Sequence, residues 1–259
     1  MLDSEFVRMS KYERDVEKIV NAHGTITVME LARMLSVTDQ TIRRIVKPLE
    51  ARGILKKVHG ALVSNENLID PPFLTRMNTQ KAAKSAIARK VVELIKDGSS
   101  LAIDTGSTSG FVARELRSKR NLSIVTNSAF IASTLSMVEG NRVFMAGNQL
   151  RNHDGAAFDK TAFEMIANVS VDFSILSASG AHPTMGFLGY EQCEVEIATA
   201  MIDISQRTIM AVDKTKFSIE GSLPPIRFPK LRPDDIVITD GPLGDEYSTF
   251  LTDQQLIFA

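Results

Sequence analysis

Two groups of residues have types and spacing suited to chemistry. The first is Gln40, Thr41, Arg43, Arg44 and Lys47, within residues 37–50. On a helix of about 3.6 residues per turn, Gln40, Arg43, Arg44 and Lys47 fall within about 100° of one another, opposite a stripe of Ile42, Val46 and Leu49, with Ile45 at its margin. Arginine and glutamine match base edges, and lysine pairs with phosphate. The second group is Asp104-Thr105-Gly106-Ser107-Thr108-Ser109-Gly110, where glycine and hydroxyl residues lead a strand into a helix. Free amides and the helix dipole there favour an anion, Gly106 allows close backbone approach, and Ser107 and Thr108 can donate hydroxyl bonds. A phosphate meets these terms, and Asp104 can accept from a sugar hydroxyl beside it. The competing reading is a plain capped turn.

Other polar turns carry weaker signals. Thr126-Asn127-Ser128 either caps the following helix or contacts a ligand. Asp213-Lys214-Thr215-Lys216-Phe217 places Lys216 within reach of a phosphate, although a lone lysine is ordinarily surface. His153-Asp154 pairs an imidazole with a carboxylate, but adjacent side chains in a loop seldom point together. Polar contact with a ligand is expected there, and no residue is assigned as catalytic. His23, His59, His153 and His182 lack short metal-ligand spacing, and Cys193 sits among Glu191, Glu194 and Glu196. No metal and no cofactor are expected. The single cysteine excludes an intrachain disulfide and fits a reducing compartment.

The elements that hold the first group are well marked. Thr27-Val28-Met29-Glu30 fits a capping box, Leu31, Ala32 and Leu35 give a short helix its apolar side, and Ser36-Val37 leaves room for a tight turn. Thr38 is a natural N-cap for the next helix. Helix, short turn, helix places the second helix in a major groove. Gly53 stops it, and residues 54–63 read as two short strands around His59-Gly60, which is a wing. Residues 41–60 hold six Lys or Arg against one acid, Glu50, in a chain of net charge −1. A solvated helix face is the alternative; capping, turn, basic side and wing together weigh against it. Pro48 is expected to kink this helix or end it early. Residues 10–21 form a bracing helix with Tyr12, Val16, Ile19 and Val20 on its apolar side.

The chain has 259 residues, 44% of them hydrophobic, which suits two domains. Asp70-Pro71-Pro72 argues for an extended connector, giving a head at 1–66, a linker at 67–78 and a body at 79–259. The head carries eleven basic and nine acidic residues, and the remainder sums to −3. No apolar run is long enough to span a bilayer and no signal-peptide core is present, so no membrane partner and a cytoplasmic location are expected. After a helix at 79–96, strand-like runs at 100–103, 123–126, 142–146, 173–178, 208–212 and 235–239 alternate with helical ones at 107–117, 129–138, 161–167 and 191–204. That rhythm implies an α/β body with a mostly parallel sheet, whose ligands sit at the carboxyl ends of strands.

Thr41-Ile42-Arg43-Arg44, Leu49-Glu50, Gly53-Ile54-Leu55 and Val58-His59-Gly60-Ala61 resemble the winged helix of the DeoR family of bacterial sugar-metabolism regulators. Pro72-Phe73 and Arg76 resemble its linker. Asp-x-Gly-Ser-Thr, Thr-Asn-Ser and Asp-x-Thr-Lys-Phe occur in the order of its effector domain. The resemblance implies a small N-terminal winged helix-turn-helix plus a larger C-terminal α/β domain resembling ribose-5-phosphate isomerase. It implies a DNA-binding repressor of a sugar or polyol operon, controlled by a phosphorylated sugar and acting as a homo-oligomer, dimer or tetramer, on double-stranded operator DNA. Carried over as DNA contacts are Thr38, Gln40, Thr41, Arg43, Arg44, Lys47, Lys57 and His59. Carried over as effector contacts are Asp104, Gly106, Ser107, Thr108, Thr126, Asn127, Ser128, Lys216 and Arg151, the last from a Leu-Arg pair. The chain departs from the family pattern at Ile45 for Asp, at Pro48, at Asn148 for the second glycine of a pair, and at Ser177-Ala178-Ser179-Gly180 for Gly-Ala-Asp-Gly. A sugar-phosphate isomerase with an accessory DNA-binding domain is the alternative, weakened by the missing acids at 177–180.

Overall fold

The computed structural model describes residues 10–23, 25–58, 61–64, 70–217, 224–251 and 256–259. It separates into two compact units, Met1–Pro72 and Phe73–Ala259. In the first, α1 (Lys11–His23), α2 (Val28–Leu35) and α3 (Asp39–Ala51) enclose Val16, Val20, Leu31, Ile42, Val46 and Leu49. Tyr12, expected on the packed side of α1, is exposed, and Val16 and Val20 make the contact instead.

Local signals set these boundaries. The amide of Glu30 donates to Thr27 Oγ1 at 3.2 Å while the amide of Thr27 donates to Glu30 Oε2 at 2.9 Å, closing the capping box. Ser36 turns the chain at a left-handed φ of 54°. Thr38 Oγ1 then accepts from the Thr41 amide at 3.2 Å and starts α3. Pro48 neither ends nor shortens that helix, which runs on through Ala51. Its ring lies on the exposed side, where the carbonyl of Arg44 can turn toward water without disturbing the core. Gly53, at φ +69°, reverses the chain, and the Ile54 amide reaches Leu49 O at 2.9 Å. Strand β2 (Leu55–Val58) pairs antiparallel with β3 (Ala61–Ser64), and β3 with β1 (Thr25–Thr27), which the sequence pattern does not announce. His59 and Gly60 lie outside the described residues.

In the second unit, a seven-stranded parallel sheet runs in the order β13-β12-β10-β7-β4-β5-β6. Its strands are β4 (Ser100–Ile103), β5 (Ser123–Thr126), β6 (Arg142–Met145), β7 (Val171–Leu176), β10 (Ser205–Ala211), β12 (Ile236–Thr239) and β13 (Leu256–Phe258). Successive side chains alternate between two cores, as a strand buried on both faces requires. Leu101, Ile103, Ile124, Ile175, Ile209 and Ile238 join α5 (Lys81–Leu94), α6 (Ser107–Glu115) and α7 (Ala129–Ser136). Ala102, Val125, Leu176, Met210 and Val237 join α8 (Lys160–Ala167) and α9 (Gln192–Ile204). Helix α4 (Phe73–Met77) begins directly after Pro72, where an extended connector through Asn78 is expected, and buries Phe73 and Met77 in the first of these cores. A small antiparallel sheet, β11-β9-β8, joins Ile226–Arg227, Gly186–Gly189 and Gly180–His182. Among the described residues no helix is long and apolar enough to cross a membrane.

From β4 the chain builds outward through β5 and β6, then returns to place β7 on the other side of β4. That reversal opens a crevice beyond the carboxyl ends of β4 and β7.

Candidate functional site

On the head, Gln40, Arg43, Arg44 and Lys47 are exposed along one side of α3, and Lys57 is exposed on β2. Thr38 and Thr41 join hydroxyl to hydroxyl at 2.9 Å, which fixes where the exposed face begins. Ile45, in the place of the family's aspartate, is half-buried and packs on the head's core. His59, the remaining expected DNA contact, lies outside the described residues.

In the body, the crevice is a cleft of about 670 Å³, open solvent at its mouth included. Asp104, Gly106, Ser107, Thr108, Asn127 and Lys216 line it. Gly106 N-caps α6, and its carbonyl accepts from the Gly110 amide at 2.9 Å. The first-turn amides of Ser107, Thr108 and Ser109 have no acceptor inside the helix and form an anion-binding end. A Cβ on Gly106 would stand 1.6 Å from Ser177 Oγ, so no other residue fits without displacing the β7 turn. Asp104 faces inward: its carboxylate accepts from Ser109 Oγ, from the Gly106 amide at 3.1 Å and from the Ser177 amide and Oγ at 2.7 and 3.2 Å. Burial raises this carboxyl above its ordinary range, against the pull of those bonds. Asp104 therefore ties the β4 and β7 turns together where the sequence suggests an acceptor for a sugar hydroxyl.

Arg76 and Lys216 supply positive charge to the same wall. Lys84, almost wholly buried, donates to Arg76 O at 2.6 Å and Thr79 O at 3.0 Å. Burial pushes its ammonium down to about 8; Asp213 works the other way, and Lys216 and Arg76 add to the fall.

Three expected effector residues are not brought to the lining. Thr126 Oγ1 accepts from the Ser128 amide at 3.1 Å, and Ser128 Oγ accepts from the Ile131 amide at 3.4 Å, so both hydroxyls hold the turn and cap α7. Asn127 lies between them, wholly buried; its Nδ2 donates to Ala157 O at 3.0 Å, and its Oδ1 has no partner. Such an orphaned acceptor costs roughly 1–3 kcal/mol until a donor arrives. Arg151 binds Asp154, Glu191 and Glu194 and lies over the Phe158 ring, 4.3 Å from its centroid. Burial works against its charge, but the bonds to Asp154 and Glu194 outweigh that and raise its hold on the proton.

Of the His153-Asp154 pair, for which polar contact with a ligand is expected, Asp154 lines the cleft; sequence reasoning does not assign to it Arg76, Thr105, Phe158, Ser177, Ser179, Glu194 or Phe228. Ser177 and Ser179 follow β7 as Ser107 follows β4, so the strand-end rule carried to every strand reaches them. Arg76 and Glu194 come from helices distant in sequence, and only the tertiary fold brings them in. Asn148, in the place of the family's glycine, bonds to Asp159 and Thr161 and does not line the cleft. His153 does not line the cleft; its carbonyl accepts from the Phe73 amide at 3.2 Å.

Comparison with known proteins agrees with this arrangement. Residues 14–67 match the DeoR-like helix-turn-helix domain, and residues 79–241 match the DeoR C terminal sensor domain. The chain is 32% identical over 250 residues to the glycerol-3-phosphate regulon repressor of Escherichia coli K12, covering 96% of this chain and 98% of that one. It is 25% identical over 243 residues to the HTH-type transcriptional regulator IolR of Bacillus subtilis 168, covering 94% and 96%. Among solved structures, ribose 5-phosphate isomerase A from Methanocaldococcus jannaschii aligns with 54% of this chain and 56% of its own at 15% identity and a TM-score of 0.39. With both of its parts matched in order and a full-length relative above 30% identity, the chain belongs to the DeoR family of helix-turn-helix transcriptional regulators.

Proposed function

We propose that this protein is a cytoplasmic repressor of a sugar or polyol operon, binding duplex operator DNA through α3 and the wing and releasing or tightening its hold when a phosphorylated polyol enters the cleft. The observation that carries the sensing half is the N-terminus of α6, where three unmatched amides, two buried hydroxyls, Arg76 and Lys216 meet at the sheet's reversal point. Relatives named for the glycerol-3-phosphate regulon make glycerol 3-phosphate the first ligand to try. We assign Gln40, Arg43, Arg44, Lys47 and Lys57 to DNA, and Gly106, Ser107, Thr108, Asn127 and Lys216 to the effector. A dimer or tetramer aligns two heads with two half-sites. The relatives are repressors, and Asp104, in the turn that leads into α6, is saturated by internal donors, so the cleft senses its ligand and does not turn it over.

The test is fluorescence anisotropy on DNA from upstream of the protein's own gene, with glycerol 3-phosphate or other sugar phosphates added singly. A ligand-dependent change in affinity is expected. Binding that no phosphate ester alters would remove the sensing half, and turnover of a sugar phosphate would favour an isomerase.

A further inference from the structure

The cleft lining also holds carboxylates that come from elements other than α6. The loop after β6 and the first turn of α9 bring in Asp154 and Glu194, which line the cleft and are held by Arg151 Nη2 at 2.5 and 2.6 Å. Arg151 Nη1 pairs with Glu191 at 2.9 Å. One guanidinium thus answers three carboxylates, and this stretch keeps a surplus of negative charge. Asp154 is fully engaged, since it also accepts from the Ala156 amide at 3.2 Å. Glu194 uses Oε1 on Arg151, which leaves Oε2 open. The second observation is Asn127, which lines the same cleft with its Oδ1 buried and without a partner, its Nδ2 being committed to Ala157. Both groups are acceptors that ask for donors.

Resting on the reading of the cleft as the site of a phosphorylated effector, we infer that Glu194 and Asn127 select for a ligand whose end away from the phosphate carries neutral hydroxyl groups and no second anion. A hydroxyl donates to Glu194 Oε2 or Asn127 Oδ1 and satisfies it. A carboxylate in that place brings oxygen lone pairs against oxygen lone pairs. Arg151, the cation suited to receive it, is already bound by three acids. Sites built to receive a donor reject analogues that lack one by large factors.

Calorimetry on the full chain tests this with inorganic phosphate and two matched pairs, glycerol 3-phosphate against 3-phosphoglycerate and glucose 6-phosphate against 6-phosphogluconate. At least one neutral-tailed ester is expected to bind more tightly than inorganic phosphate. Each neutral-tailed ester is expected to bind about tenfold or more tightly than its acid partner. Glu194→Gln should narrow that gap by about threefold or more, because it removes a charge that repels the acid and weakens an acceptor for the hydroxyl. An acid-tailed ligand that binds as well as its partner overturns the inference. So does a gap that the folded variant leaves unchanged, or a tail that adds nothing to inorganic phosphate. The wild-type comparison decides by itself if the variant does not fold. If none of the five ligands binds, inorganic phosphate included, the effector reading itself fails.

Discussion

Arg43 stands on the exposed side of a helix whose start Thr38 fixes, so its guanidinium has a defined origin from which to reach a base edge. Arg43→Ala is expected to cost roughly 1–3 kcal/mol of operator affinity and to relax preference at one base position. Competition against single-base operator variants measures this, and uniform weakening across all sequences would assign Arg43 to phosphate. In the cleft, Ser107 and Thr108 are buried in the first turn of α6, the end proposed to receive the phosphate. The Ser107→Ala, Thr108→Ala double variant should keep its DNA affinity while its half-maximal ligand concentration rises about tenfold or more, as expected when two hydrogen bonds to a charged group are lost. An unchanged ligand response would remove this turn from the site. The types of these residues were legible from sequence because a helix start is a local device. The inward turn of Asp104 was not, since Ser177, which receives it, lies 73 positions away.

At the scale of elements, short-range signals foretold the head well: a capping box, an N-cap and a left-handed glycine are each read within four residues. Pro48 does not end α3 because a proline on the exposed side of a helix costs less than one turned toward the core, and exposure is a tertiary property. The strands β8, β9, β11 and β13 escaped notice for a related reason. They are two to four residues long, too short for a periodicity to develop within them, and β11 and β13 form only by pairing with strands elsewhere in the chain. Helices α4 and α5 are joined by Lys84, whose ammonium bonds to carbonyls at Arg76 and Thr79. In the unfolded chain this group titrates near the ordinary lysine value of 10.5, and burial brings it down to about 8 in the folded chain. Between those values the unfolded state binds more protons, so folding stability gains with rising pH, by roughly 3 kcal/mol at most from this group. Urea denaturation from pH 7.5 to 10.5 should show a steeper rise for wild type than for Lys84→Met. Parallel profiles would show that Lys84 keeps its proton throughout.

The whole molecule joins a small reading head to a larger sensing body, and each part was recognisable by a different kind of evidence. Local charge marked the head, with basic residues gathered in 41–60 of a chain that is acidic overall. Alternation of strands and helices marked the body, and its sheet reverses direction at β4, beside the glycine turn that sequence alone singled out. Two residues of the cleft lining, Glu194 and Arg76, arrive from elements far apart in the chain and became visible only in the fold. Regulation requires the two parts to be coupled in free energy, and such coupling is reciprocal. The direct test measures operator affinity with and without saturating glycerol 3-phosphate, and then ligand affinity with and without saturating operator. Both ratios are expected to be equal and to fall at about 5- to 150-fold. Two tight but independent binding events, each ratio equal to one, would contradict the account.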